Sequence, residues 1–238
     1  MMIVVPLIIL LVPLGITAVV GRYFWNRHRP ISYFLIVWCI AAIALNAFPF
    51  YPGQGVWVEG DRMRTPFYLL IMASPVLIYL WAFNTSEAVR NALNAVPLHL
   101  LAASQLYRIA GVTFIFGFLG GLFPAEIAFP AAFLDTFIAV TALPLAYLLR
   151  RRIARGIATA WNLIGLFDFG FAISLVLLSV YGIISLTPAP SALGQLPSIL
   201  TTVFAVPFGV MVHIEFLRRL RQVTVSQESV VQMPTDAS

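Results

Sequence analysis

Seven runs of about twenty apolar residues dominate this chain, at 2–20, 31–50, 66–84, 98–122, 126–149, 158–186 and 196–217. A run of that length is what one α-helix needs to cross a hydrocarbon core about 30 Å thick. The alternative, burying these runs in a water-soluble core, fails on composition. The 238 residues are 61% hydrophobic and only 10% charged, whereas soluble domains carry roughly a quarter charged residues. The expected fold class is therefore all-α: a polytopic integral membrane protein with seven transmembrane helices over residues 1–221 and a disordered cytoplasmic tail, 222–238. Its first partner is the lipid bilayer.

The charge pattern orients the bundle. All fourteen basic residues are arginines, and the formal net charge is +5. Arg22, Arg27 and Arg29 follow the first run, and Arg90 follows the third. Arg150, Arg151, Arg152 and Arg155 follow the fifth, and Arg218, Arg219 and Arg221 the seventh. Only Arg62 and Arg64 fall on the opposite side, with Arg108 in between. Basic flanks mark the cytoplasmic side, which puts the N-terminus outside and the C-terminus inside. The same distribution speaks for topology and against nucleic-acid binding. The first run has no positive segment before it and no small-residue cleavage pattern, so it reads as a retained helix rather than a signal peptide. The arginine-for-lysine bias with abundant alanine points to a GC-rich bacterial genome, and thus to a bacterial inner (cytoplasmic) membrane.

Two loops carry patterns of their own. VWV-EGD-RMR, within 51–65, predicts a small hairpin around Gly60. SEAVRNALNAV, 86–96, gathers Val89, Ala92, Leu93 and Val96 on one helical face, predicting an interfacial amphipathic helix capped by Ser86 and stopped by Pro97. A 3+1+3 internal repeat finds little support, because SYFLIVWCIAAI and AWNLIGLFDFGF share only hydrophobicity.

Three ionisable residues sit deep inside spans. At 1.5 Å per helical residue, Arg108 and Asp168 lie roughly 15 Å from the inner edge, and Asp135 roughly 13–14 Å from the outer edge. All three are therefore near the midplane. Ser104, Gln105, Arg108 and Gly111 share one face of the fourth helix. The fifth shows Asp135 in a stripe of Ala128, Ala131, Ala132, Ala139 and Ala142, which allows close helix approach. The expectation is that Arg108 pairs with Asp135, with Asp168 nearby. A lone charge at mid-bilayer costs about 2.5–3.5 kcal/mol on insertion scales, so pairing is close to obligatory. Two carboxylates against one guanidinium leave one Asp neutral, hydrated or bound to something else, a candidate proton carrier.

Other signals are weaker. Trp161 and Asn162 fall near the inner interface, where aromatic anchors are ordinary. His99 and His213 fall near cytoplasmic ends and His28 in a cytoplasmic loop; His99 and His213 are weak candidates for metal or haem, without any supporting spacing. Glu215 reaches Arg218 and Arg219 at i+3 and i+4. Pro75, Pro130, Pro144 and Pro207 interrupt three spans. No nucleophile elbow, zinc motif or phosphate loop points to an enzyme. No cofactor is expected, and a retinal Schiff base has no lysine to form on.

From Arg108 onward, FPAEIAFPAAFLD, WNLIGLFD and VPFGVMVHIEFLRRL resemble a family of uncharacterised bacterial seven-helix inner-membrane proteins, over about residues 104–220. That family has glycines near the first aspartate, where this chain has Ala132 and Leu134, which leaves the closeness of packing at Asp135 open. The resemblance implies no activity; it marks Arg108, Asp135, Asn162, Asp168 and His213 as positions of interest. Two functions remain open: a small solute or ion/proton-coupled transporter built on Arg108, Asp135, Asp168, Gln105 and Asn162, or a structural or assembly protein in which the cluster only fixes helix register. The sequence leaves substrate identity and oligomeric state unset.

Overall fold

The computed structural model describes residues 4–47, 58–59, 62–63, 67–151 and 154–231. They form an almost wholly helical chain: α1 (Val4–Trp25), α2 (Arg29–Ala47), α3 (Phe67–Thr85), α4 (Glu87–Asn94), α5 (Leu98–Ala103), α6 (Thr113–Leu119), α7 (Ala125–Arg151), α8 (Arg155–Val180) and α9 (Val206–Val231). The one sheet among the described residues is a two-residue pairing of β1 (Val58–Glu59) with β2 (Arg62–Met63), antiparallel with Val58 opposite Met63. This pairing fits the expected hairpin; Gly60, at its turn, lies outside the described residues.

By length and composition, four helices can each cross a membrane: Val5–Trp25, Leu98–Leu119, Ala125–Arg151 and Arg155–Val180. A fifth results if α3 and α4, which meet at a 104° bend, count as one broken span. The seven expected runs are thus met as four or five. In α2 the described apolar segment, Arg29–Ala44, is shorter than a span. The run at 196–217 is broken in the structure: helix begins only at Ile199 and passes through a π-helical turn, Thr201–Ala205, before α9. α9 then continues to Val231, into the segment read as a disordered tail. Extending an existing helix costs far less than nucleating one, so Gln222 and the residues after it follow the helix they are attached to. Residues 232–238 lie outside the described residues.

The bend before α4 has the expected cause. Ser86 caps the helix, its Oγ accepting from the Val89 N–H at 3.3 Å, and Pro97 starts the next one. Arg219 then pins the far end, its Nη1 donating to the carbonyls of Leu93 at 3.1 Å and Val96 at 3.0 Å. Cations at a helix C-terminus satisfy carbonyls the helix leaves open.

The expected fourth helix, 98–122, is not α-helical throughout. Between α5 and α6 the chain tightens into a 3₁₀ segment, Ser104–Val112. Such segments rarely exceed three or four residues; this one has nine. Its three-residue repeat stacks Gln105, Arg108 and Gly111 into one buried column, directly above buried Ala102. That column packs on α7, whose buried stripe contains Ala128, Ala131, Ala132, Ala139 and Ala142. Ser104 leaves the face predicted for it and bonds back to the Leu101 carbonyl at 2.8 Å. Leu119 and Val180 both precede Schellman-type stops. Gly121 and Gly182 take φ of +70° and +71°, and the following residues, Leu122 and Ile183, bond back to the Gly117 and Leu178 carbonyls at 2.9 Å. The stop at Val180 ends the sixth run short of its expected limit, 186.

Candidate functional site: a guanidinium shared by four helices

Arg108 is buried, 2% exposed, and four helical elements meet around it. Its Nε donates to Asp135 Oδ1 of α7 at 2.5 Å. Its Nη2 donates to Asp168 Oδ2 of α8. Its Nη1 faces His213 Nε2 of α9 at 3.2 Å and reaches the Gly165 carbonyl at 3.4 Å. The guanidinium carbon lies 4.1 Å from the centre of the Phe169 ring, a cation–π contact. Asp135 and Asp168 are also within hydrogen-bond reach of each other.

Two glycines make this convergence possible. A Cβ on Gly111 would come within 2.6 Å of Asp135 Oδ2 and 2.8 Å of its Cγ. The close approach that the family resemblance placed on glycines beside the aspartate is supplied here from the facing segment, while Ala132 stays in the α7 stripe. A Cβ on Gly165 would meet the His213 ring at 2.5 Å from Cε1 and Arg108 Nη1 at 3.1 Å.

The far side of Arg108 is held by a chain with a fixed sense. Asn162 Nδ2 donates to the Ala158 carbonyl at 2.7 Å, which turns its Oδ1 toward His213 Nδ1 at 2.8 Å. An amide oxygen only accepts, so Nδ1 carries the proton and Nε2 presents its lone pair to Arg108. His213 is then a neutral acceptor with both nitrogens engaged, which takes it out of the weak metal candidates. Among the described residues no group of three His, Cys, Asp or Glu side chains is placed to hold a metal ion.

The other sequence candidates divide. Asn162 joins the cluster through His213. Gln105 is fully buried one 3₁₀ turn from Arg108, yet neither its Nε2 nor its Oε1 has a hydrogen-bond partner. His99 stays apart, half-buried, with Arg150 as its charged neighbour. His213 is not near a helix end beside His99 and His28, as expected, but at the level of Arg108. Trp161 is likewise no interfacial anchor; it is buried and donates to Thr141 Oγ1 at 2.9 Å. Gly165 and Phe169 were missed altogether. Their signal was present: Asn162, Gly165, Asp168 and Phe169 repeat at helical spacing on one face of α8.

Of two cavities, one adjoins the cluster. That one, of about 90 Å³, is walled mainly by apolar residues such as Ile127, Ala172 and Val176, with Arg108, Asp135 and Asp168 also in its lining. Both carboxylates border it; the Asp135 side chain is 14% exposed and that of Asp168 4%. The second is an apolar groove of about 440 Å³ bordered by His28, Val89, Leu101, Phe208 and Glu215. At its edge Glu215 pairs with Arg218 and accepts from the Tyr79 hydroxyl at 3.0 Å. Arg219, expected as a second partner of Glu215, donates to the Leu93 and Val96 carbonyls instead.

No curated protein and no solved structure matches the chain. One family model does, over residues 65–221, a stretch that holds every member of the cluster. The chain belongs to that family, described as Domain of unknown function (DUF8737).

Proposed function

We propose that this protein is a small carrier for a proton or small solute, spanning a bacterial inner membrane seven times with its N-terminus outside. α2 and the helix from Ile199 onward provide the two spans that length and composition alone do not count. The alternation of the arginine clusters supports the orientation. In that frame the Arg108 cavity lies in the outer half of the bilayer and the groove in the inner half. Arg108, Asp135 and Asp168 form the site, with Asn162 orienting it through His213. Gln105 supplies an unpartnered amide beside it.

The observation that carries this reading is that Asp135 is held by Arg108 and yet faces a cavity. Two carboxylates share one guanidinium, and a surplus charge in lipid demands neutralisation. Because the carboxyl groups reach each other, one proton between them balances the site, and the cavity gives that proton a way in. Proteoliposome flux tests it. Asp168→Asn is expected to cut proton-coupled flux by about tenfold or more, the scale of losing one positioned proton-transfer group. Flux equal to wild type removes Asp168 from the mechanism.

A second reading is favoured by how thoroughly Arg108 is bonded: it has donor contacts to three helices, fitted by Gly111 and Gly165. Such a network also serves to lock helix register. In that case Arg108→Gln with Asp135→Asn retains function along with fold.

A further inference from the structure

The Arg108 cavity and the groove lie end to end along the same helices. On α1 the cavity extends to Val12 and the groove begins at Val19; on α3 the limits are Met72 and Ile78; on the last helix they are Val206 and Phe208. On the fourth span, Ser104 borders the groove while Tyr107 and Arg108 border the cavity.

Two aromatic side chains stand where the two linings meet. Tyr107 belongs to the cavity wall and Phe208 to the groove wall, their rings in edge contact at 5.7 Å. The Tyr107 hydroxyl donates to the Ala205 carbonyl at 2.8 Å, in the π-helical turn, where the altered backbone pairing leaves carbonyls for side chains. Gly209 makes room for this bond, since a Cβ there would come within 2.6 Å of both Tyr107 Oη and Phe169. Thr17 lies on α1 in the interval between cavity and groove, and its buried Oγ1 has no partner.

We infer that the cavity and the groove are two halves of one passage through the protein, closed at Tyr107 against Phe208, and that the passage serves a small cation, the proton included. This deepens the carrier reading and rests on it. Beside the closure stand two carboxylates and one guanidinium; once the proton they share has left, the net charge there is negative, which attracts cations and repels anions. The buried hydroxyls of Thr17 and Tyr107 are the groups a hydrated cation meets on crossing the closure.

Thiol accessibility tests the closure without relying on transport. Cys39→Ala removes the only cysteine, and Ala172→Cys then places a thiol in the cavity wall. A membrane-impermeant methanethiosulfonate is applied to either face of oriented vesicles. With Tyr107 present the thiol reacts from the outer face alone. Tyr107→Ala raises the inner-face rate about tenfold or more, because it shifts the closed population toward open. Gly209→Ala, which displaces the Tyr107 hydroxyl, does the same if Tyr107→Ala fails to fold. An inner-face rate unchanged in the folded variants overturns the passage. Opening of the passage without any cation flux in wild type supports the passage and sinks the carrier reading. A chloride leak through Tyr107→Ala vesicles, in place of the expected proton or sodium leak, overturns the assignment of a cation.

Discussion

Asp135→Asn and Asp168→Asn, made singly and together, measure whether two carboxylates share one guanidinium. Arg108 spends Nε on Asp135, Nη2 on Asp168, and Nη1 on His213 and the Gly165 carbonyl. In either single variant the amide oxygen still accepts, and the remaining carboxylate still balances the charge. The loss is the difference between a charge-assisted and a neutral hydrogen bond, about 1 kcal/mol. In the double variant the guanidinium has no anion. The two weakened bonds, about 2 kcal/mol together, then add to the cost of a lone mid-membrane charge, about 3 kcal/mol. The double should lose about 5 kcal/mol, roughly 3 more than the sum of the singles, a coupling at the upper end for groups in one network. Reversible unfolding in mixed micelles, followed by helical circular dichroism, reads all four proteins on one scale. Additivity within about 0.5 kcal/mol refutes the shared-charge argument. So does a single variant as costly as the double.

Two further outcomes follow from the packing. Gly111→Ala forces a methyl into the Asp135 side chain and should cost about 1–3 kcal/mol; Gly15→Ala, with nothing within 4 Å of the new Cβ, should be neutral or stabilise by up to about 1 kcal/mol, and equal effects in the micelle assay would sink the contrast. Arg219→Gln removes the donor to the Leu93 and Val96 carbonyls, so amide exchange across α4 in nanodiscs should accelerate about tenfold or more, the scale of local opening, and unchanged exchange would mean that α4 is held by its apolar face alone.

The meeting of Arg108 with Asp135 and Asp168 was readable because depth follows from counting residues and a buried charge needs a partner. The α7 alanine stripe and the capped α4 were readable for equally local reasons. His213 was not. The sequence reading puts it near a cytoplasmic end, whereas in the structure it reaches the level of Arg108. The 3₁₀ segment was also hidden. In a soluble helix polar residues reveal the repeat, but a span facing lipid is apolar on nearly every side, so 3.0 and 3.6 residues per turn leave almost the same trace. The only polar marks on that segment's buried side, Gln105 and Arg108, are three apart and fit both.

The irregular backbone stands where the candidate site needs it. An α-helix rotates successive i+3 positions apart, so it would present Gln105, Arg108 and Gly111 on a drifting line; the 3₁₀ repeat holds them in register with α7. Nine residues at the 3₁₀ rise also lengthen the span by about 4 Å over an α-helix. Opposite it, the π-helical turn supplies the carbonyls that Trp38 takes at Val203, 3.0 Å, and Tyr107 takes at Ala205, 2.8 Å. Two departures from α geometry thus face each other across Tyr107. The bond from Tyr107 to a π-turn carbonyl satisfies a backbone group that the turn leaves open, and it stands between the cavity and the groove, where the proposed passage would close.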